Sequence, residues 1–486
     1  MKVSISYPPL LTAKGVPLLS QNRQFQWFSE PTYIYPVVPA YAATLLSEAG
    51  YDVVWDDGIA EEKSYSEWLN GLERVSPDVV MFETKTPVVR RHWSIIADVK
   101  EVLPGTKVVL VGDHVTALPL ESMEQSKVDF VLTGGDYDFL LLNLVNFLNG
   151  KAELEAGIWY RENGKVKNTG KFKLNHSLDE LPHINRDLTK WWLYSERNGN
   201  FKVTPGAYTM AGRDCWWRKD GGCTFCSWPT LYPTFRAMTP ERLADEVGLL
   251  IERYGVKSVF DDTGCFPAGE WLRRFAKLMI ERGYNKKVQF SCNMRFGVLT
   301  RDDYRLMKKA GFLMLLFGLE SASQRILNEL NKGLTVDEIV DSCRKAKEAG
   351  LTVHITIMFG YPNASRKEEF KTYQLARKLM DDGYSDTLQS TLLMPYPGSR
   401  LYEIALEKGW LRFSPGEWER WDMSEPVLKS GDMSPEEVKQ LCDKTYKLFL
   451  SRKYVLRRLL SIRSFEDLRF AFRGARRVVG HIKDFK

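Results

Sequence analysis

Cys215, Cys223 and Cys226 lie in the stretch Arg213-Asp-Cys-Trp-Trp-Arg-Lys-Asp-Gly-Gly-Cys-Thr-Phe-Cys-Ser-Trp-Pro229. Three thiolates this close together can hold a four-iron cluster and leave one iron open for chemistry, since cysteine sulfur is the usual protein ligand of iron-sulfur centres. A structural zinc site would close its tetrahedron with a fourth Cys or His. None stands nearby: the nearest upstream histidines are His176 and His183, and the next cysteine is Cys265. The spacing favours a cluster over zinc, which would need a ligand brought in by the fold, and over unliganded core cysteines.

Such a site needs rigid elements behind it, and the surrounding chain has a βα rhythm. Residues 207–211, 258–262, 288–292, 313–320, 353–359 and 387–394 are strand candidates, with helical segments such as 240–254, 270–282 and 336–349 between them. Six βα units over 206–410 predict a partial or complete parallel barrel of TIM type, with functional residues at the C-terminal strand ends. The cysteine segment falls directly after the first strand. Upstream, 1–150 alternates strands at 2–6, 51–55, 78–82, 107–111 and 128–132 with helical stretches, which predicts a doubly wound, Rossmann-like α/β domain. Its ligand should lie beyond the carboxyl ends of the strands, where Glu83-Thr84-Lys85-Thr86, Gly112 to Thr116 and Thr133 to Asp136 form polar or glycine-rich loops. Residues 151–205 read as a connector and 411–486 as a helical, basic C-terminal region.

The chain has 486 residues, 44% hydrophobic and 27% charged, with no apolar run long enough to span a bilayer. Its N-terminus lacks the layout of a signal peptide, and seven unevenly spread cysteines do not make a disulfide framework, so the cytoplasm is the expected compartment. The net charge of +6 is uneven: 452–486 carries eleven Lys/Arg against three Asp/Glu. Apolar and basic residues interleave there, as in a helical cap with a solvated basic face or in a peripheral contact with anionic lipid or an acidic partner. Nothing points to nucleic acid.

Several segments, in order and spacing, resemble the B12-binding (cobalamin-dependent) radical S-adenosylmethionine (SAM) enzymes of the class B methyltransferase type. They are Arg213-Asp214-Cys215, Cys223-Thr224-Phe225-Cys226, Phe260-Asp261-Asp262-Thr263, Phe317-Gly318-Leu319-Glu320-Ser321, Asn331-Lys332-Gly333, Phe359-Gly360-Tyr361-Pro362 and Met394-Pro395-Tyr396-Pro397-Gly398-Ser399. The resemblance implies a [4Fe-4S] cluster on Cys215, Cys223 and Cys226, whose open iron takes the amino and carboxylate groups of SAM. It implies SAM contacts from Asp261, Asp262, Thr263, Arg295, Glu320, Ser321, Gly360 and Pro395. It further implies that 1–150 binds cobalamin through Thr86, Val115, Thr116, Gly134 and Gly135, as base-off methylcobalamin without a histidine from the protein. The Asp-x-His-x-x-Gly sequence that often supplies that ligand is absent, and His114 reads as a loop histidine.

The implied reaction is methyl transfer to an unactivated sp³ carbon of a protein, lipid or small molecule, with ferredoxin or flavodoxin as electron donor. The wide cysteine spacing most resembles the glutamine C-methyltransferases of methyl-coenzyme M reductase. A cobalamin-dependent radical cyclase or oxidoreductase and a zinc-stabilised corrinoid-binding protein are the alternatives. Two departures stand out: seven residues, Trp216 to Gly222, separate the first two cysteines where the family has three, and Asn363-Ala364-Ser365 replaces a common Gly-Glu-Thr. Cys265, Cys292, Cys343 and Cys442 read as packing residues, Cys265 being the one nearest the site in sequence.

Overall fold

A computed structural model describes residues 1–19, 25–29, 31–198, 200–462 and positions 468, 472 and 474. The first sheet contains β1 (Lys2–Tyr7), β2 (Asp52–Asp57), β3 (Val79–Glu83), β4 (Lys107–Val111), β5 (Phe130–Leu132), β6 (Ile158–Glu162) and β7 (Lys165–Asn168), in the order β2-β1-β3-β4-β5-β6-β7. The first five pair in parallel; the central β3 and β4 are the near-continuous apolar runs expected of strands buried on both faces, whereas β2 at the edge is not. The strand order reverses between β1 and β3, so the crevice beyond their carboxyl ends is the switch point.

The sheet runs past residue 150, where sequence reading had ended the domain. β6 and β7 add an antiparallel hairpin to β5. The polar, weakly patterned Trp159-Tyr160-Arg161-Glu162 and Lys165–Asn168 suit a half-exposed edge, which is why they lack a buried strand's signature.

The second sheet is open and purely parallel: β8 (Gly206–Thr209), β9 (Ser258–Asp261), β10 (Gln289–Met294), β11 (Phe312–Glu320), β12 (Thr352–Phe359) and β13 (Thr387–Leu392) pair in sequence order. This is the expected partial (β/α)6 barrel. Its helices carry local start and stop signals: Thr239 caps Pro240–Tyr254 and Gly255 closes it in the left-handed region. Ser365 makes a capping box with Glu368 at Arg366–Asp381, so the unusual Asn363-Ala364-Ser365 serves as a helix start. Among the described residues no helix is long and apolar enough to cross a membrane.

The two sheets are held rim to rim. Arg213, two residues before Cys215, donates to Asp138 Oδ2 at 2.5 Å and to the Gly135 carbonyl at 3.3 Å, with both charged side chains buried. Arg236 pairs with Asp136 at 2.6 Å, and Tyr232 donates its hydroxyl to the Gly135 carbonyl at 2.9 Å. A Cβ on Gly135 would meet the Tyr232 ring at 1.8 Å, so only glycine fits this approach. The C-terminal region adds a second lacing: Trp418 donates to Glu121 at 2.9 Å, Trp421 donates to the Pro395 carbonyl at 3.3 Å, and Tyr396 donates to the Trp421 carbonyl at 3.1 Å.

Gly135→Ala should therefore lower the melting temperature through an overpacking cost of about 1–3 kcal/mol. Tyr232→Ala in the same chain should return part of that loss, a non-additivity that thermal denaturation of the single and double variants measures.

Candidate functional site

The cysteine loop is rooted by the end of β9. Asp261 is buried; its Oδ2 accepts from Thr209 Oγ1 and the Ala211 amide, both at 2.8 Å, and its Oδ1 accepts from the Thr263 amide at 3.1 Å. Thr263 Oγ1 accepts from the Gly212 amide at 2.9 Å. These two expected SAM contacts thus hold the backbone immediately before Asp214, which turns through the left-handed region at φ 69°. Burial raises the Asp261 carboxyl above its ordinary range. Asp262, half-buried, anchors its own amide on the Thr209 carbonyl at 2.9 Å.

The seven residues between Cys215 and Cys223 are tied down throughout. The Trp217 amide donates to Cys215 Sγ at 3.4 Å, and its indole donates to the Asn331 carbonyl at 2.9 Å. Trp216 donates to the Phe266 carbonyl at 3.2 Å, and Arg218 pairs with Asp214 and reaches the Tyr232 carbonyl at 2.9 Å. Asn331 Nδ2 returns bonds to the Lys219 and Gly222 carbonyls at 2.6 and 2.8 Å. Gly333, at φ 57°, lies under the Trp217 ring, where a Cβ would sit 2.4 Å from the indole. The Asn331-Lys332-Gly333 turn and the cysteine loop are thus one packed unit. The sequence motif was visible, its partner was not.

Charge marks the centre of this unit. The Arg295 guanidinium lies 3.9 Å over the Trp217 ring and donates to the Lys332 and Gly333 carbonyls. It is 7% exposed, and no carboxylate among the described residues pairs with it. Burial lowers its pKa, while Cys223, Cys265, Cys215 and, more weakly, the Glu338 carboxylate, which forms no ion pair with it, act in the opposite direction. Lys332, not anticipated, pairs with Glu320 at 2.8 Å; burial opposes its charge, but Glu320 and Cys223 hold its pKa above the ordinary lysine value. Burial pushes the Cys223 thiol up, and that of buried Cys265 well up, with Cys215 as its hydrogen-bonding neighbour. A buried cation without a carboxylate calls for an anionic occupant. Cys215 and Cys223 lie within electrostatic reach of Arg295, and Cys223 within that of Lys332, a setting that suits a negatively charged occupant such as an iron-sulfur centre or a ligand carboxylate; among the described residues no three Cys, His, Asp or Glu side chains are drawn together closely enough to hold a single metal ion.

Of the other expected SAM contacts, Glu320 is turned by a left-handed residue conformation, φ 62°, at an irregularity where β11 pairs with β12. Ser321 is consumed locally, its hydroxyl accepting from the Ser323 amide at 3.1 Å. The Gly360 and Tyr361 amides both donate to Glu369 Oε1, at 2.9 and 3.0 Å. Burial pushes the Glu369 carboxyl up to about 7, the two amide donors opposing it. Pro395 is fixed through the bond from Trp421 to its carbonyl.

At the first sheet's rim, Tyr7 donates to Glu83 Oε2 at 2.5 Å and Tyr137 donates to Oε1 at 3.3 Å. Burial raises Glu83 to about 7, against the opposing pull of the Tyr7 hydrogen bond and of Lys85, so this buried hydrogen-bonding cluster at the switch point holds its proton more readily than an ordinary carboxyl. Thr86 and Val115 are buried beside it, and Thr116 Oγ1 accepts from the Gly134 amide at 3.1 Å. Both His114 ring nitrogens are engaged, Nδ1 with Thr86 Oγ1 at 3.1 Å and Nε2 with Glu121 at 3.0 Å. Gly134 and Gly135 are covered by rings of this chain, Phe172 and Tyr232.

Comparisons with known proteins bear on the fold. Residues 212–376 match the radical SAM superfamily. The chain is 29% identical over 426 residues to an uncharacterized methyltransferase of Pyrococcus horikoshii, covering 87% of this chain and 89% of the relative. It is 23% identical to the anaerobic magnesium-protoporphyrin IX monomethyl ester cyclase of Cereibacter sphaeroides, over 86% and 67% of the two chains. Among solved structures, TsrM of Kitasatospora setae, a radical SAM methyltransferase with cobalamin and a [4Fe-4S] cluster bound, superposes with a TM-score of 0.67 at 13% identity over 92% of this chain and 88% of that one. The cobalamin-dependent enzyme OxsB gives 0.70 at 13% identity, over 99% and 72%. Residues 212–376 thus match a radical SAM domain within a longer chain. Its two-domain build, a Rossmann-like sheet rimmed against a partial barrel, shares the fold of the TsrM and OxsB structures.

Two outcomes follow. Arg213→Ala strands Asp138 as a buried unpaired charge and should cost about 3–5 kcal/mol, whereas Arg213→Met with Asp138→Leu should recover much of it in chemical denaturation. Because the folded Glu83 pKa is raised from 4.5 to about 7, the native state holds a proton that the unfolded chain releases. That stability is full below 4.5 and is lost as pH rises through about 7, by roughly 3 kcal/mol. Glu83→Gln should flatten this part of the stability-pH curve, measured by urea unfolding across the same range.

Proposed function

We propose that this protein is a cobalamin-dependent radical SAM C-methyltransferase acting on an unactivated sp³ carbon. The observation that carries the reading is the buried Arg295 guanidinium, stacked on Trp217 beside Cys215 and Cys223 without a carboxylate partner, at a barrel rim that faces the switch point of the first sheet. Cys215, Cys223 and Cys226 would hold the [4Fe-4S] cluster. Asp262, Arg295, Glu320 and the Gly360 turn would position SAM, while Thr86, Val115 and Thr116, beside Gly134 and Gly135, would border cobalamin. When bound, these groups supply an electron for sulfonium cleavage and a transferable methyl group.

The chain's own contribution is placement and exclusion of water. Trp216, Trp217 and Arg218 close the cysteine loop against the Asn331-Lys332-Gly333 turn, and Lys332 neutralises Glu320 so that no uncompensated carboxylate faces the thiolates. Asp261 and Thr263 act one step back, by fixing the strand that carries the loop. His114, with both nitrogens engaged, supports cobalamin without a protein histidine. The seven cysteines form no disulfide with one another, which suits a reducing cytoplasm, where a ferredoxin or flavodoxin would supply electrons.

The favoured substrate is a protein backbone carbon, a glutamine Cα as in methyl-coenzyme M reductase; a lipid or small natural product is the rival. A second reading, a cyclase without methyl transfer, draws on the magnesium-protoporphyrin ester cyclase relatives. Anaerobic reconstitution with hydroxocobalamin and SAM, followed by mass spectrometry of a glutamine peptide, a hopanoid and a porphyrin ester, separates them. A gain of one methylene supports methyl transfer; loss of hydrogen or an unchanged mass rejects it. Replacing all three cysteines with alanine should abolish the brown chromophore and 5′-deoxyadenosine formation. Retained deoxyadenosine would overturn the site assignment.

A further inference from the structure

The helix Arg452–Leu460 is built inside out. At 100° per residue its side chains divide into two faces, and the face against the protein is the polar one. Tyr454, buried, donates its hydroxyl to the Asp386 carbonyl at 3.0 Å. Arg457 donates to the Met380 and Ser385 carbonyls. The opposite face carries Val455, Leu456, Leu459 and Leu460, the last three 61%, 60% and 83% exposed. Leu450, just before the helix, and Leu468 and Phe472, beyond it, are exposed as well. Most of the exposed large apolar side chains of the described protein are therefore gathered on this one terminal segment. Such grouping marks a contact surface and is not scattered surface hydrophobicity.

Charge says what the surface meets. Arg452 and Lys453 are exposed, and no carboxylate among the described residues pairs with them. They stand in the helix's first turn, which holds no acidic residue. Cations there oppose the helix dipole, so their placement does not serve helix stability. The sequence from 463 to 486 adds seven Lys/Arg against three Asp/Glu. A second copy of this helix, or the chain's own basic end, would bring like charges together on the apolar face.

We propose that Arg452–Leu460 is a peripheral membrane anchor that lays Val455, Leu456, Leu459 and Leu460 into the boundary of an anionic bilayer, with Arg452 and Lys453 on its headgroups. The anchor leaves the active rim free. Its contacts run to Met380, Ser385 and Asp386, before the start of β13, which is the end of the barrel opposite the cysteine loop.

The test is flotation of the full-length protein with vesicles of phosphatidylcholine alone or mixed with phosphatidylglycerol, at low and high salt. Wild type should float with the mixed vesicles at low salt and stay behind with phosphatidylcholine alone. Leu456→Ser/Leu459→Ser/Leu460→Ser and, separately, Arg452→Glu/Lys453→Glu should each weaken binding by about tenfold or more without changing the melting temperature. A wild type that does not float, or variants that float like it, would overturn the anchor. So would a wild-type dimer that the leucine variant converts to monomer in light scattering, which assigns the face to a second copy. The assay uses no SAM or substrate, so its result is independent of the proposed reaction.

Discussion

The ion pair between Arg213 and Asp138 is the constraint on which the rest is arranged. Both side chains are out of water, at 2% and 0% exposure, so neither charge can be tolerated without the other. Arg213 belongs to the strand end that runs into Cys215, and Asp138 to the helix that follows β5. One contact therefore fixes the cysteine loop against the first sheet's rim. Tyr232 on Gly135 and Arg236 on Asp136 complete a joint made of charge and close backbone approach. A joint of this kind has one geometry, since hydrogen bonds to carboxylates are directional where apolar contact is not.

Within the rim, formal charges are few and nearly all are matched. Glu320 is neutralised by Lys332, and Glu83 and Glu369 are carboxyls that burial pushes toward neutrality. Against that background Arg295 stands out, because its guanidinium is satisfied by carbonyls and an indole face but not by an anion.

Much of this could be read from sequence, for physical reasons that differ by element. The parallel strands were visible because burial on both faces forces continuous apolar runs such as Val79–Glu83 and Phe312–Glu320. The hairpin Ile158–Glu162 and Lys165–Asn168 was not, since an edge needs only half the pattern. The cysteine spacing drew attention to the loop that the structure ties to the Asn331-Lys332-Gly333 turn, and Arg295 was legible as a cation near it. Which oxygen of Asp261 or Ser321 would be left for a ligand was illegible, because that depends on the backbone amides the fold brings within reach. Trp418 and Trp421 fall in 411–486, read as a helical, basic C-terminal region, and they reach Glu121 and Pro395 across 297 and 26 residues respectively, separations no local pattern encodes.

The long gap between Cys215 and Cys223 also bears on assembly. A loop that relied on its inorganic occupant for shape would unravel when emptied, as small zinc modules do. Here Trp216, Trp217, Arg218 and Asn331 hold the loop through protein contacts alone. The loop's course is thus set by the protein's own side chains, and under the proposed function the three cysteines would be carried into place by folding rather than by the centre they would hold.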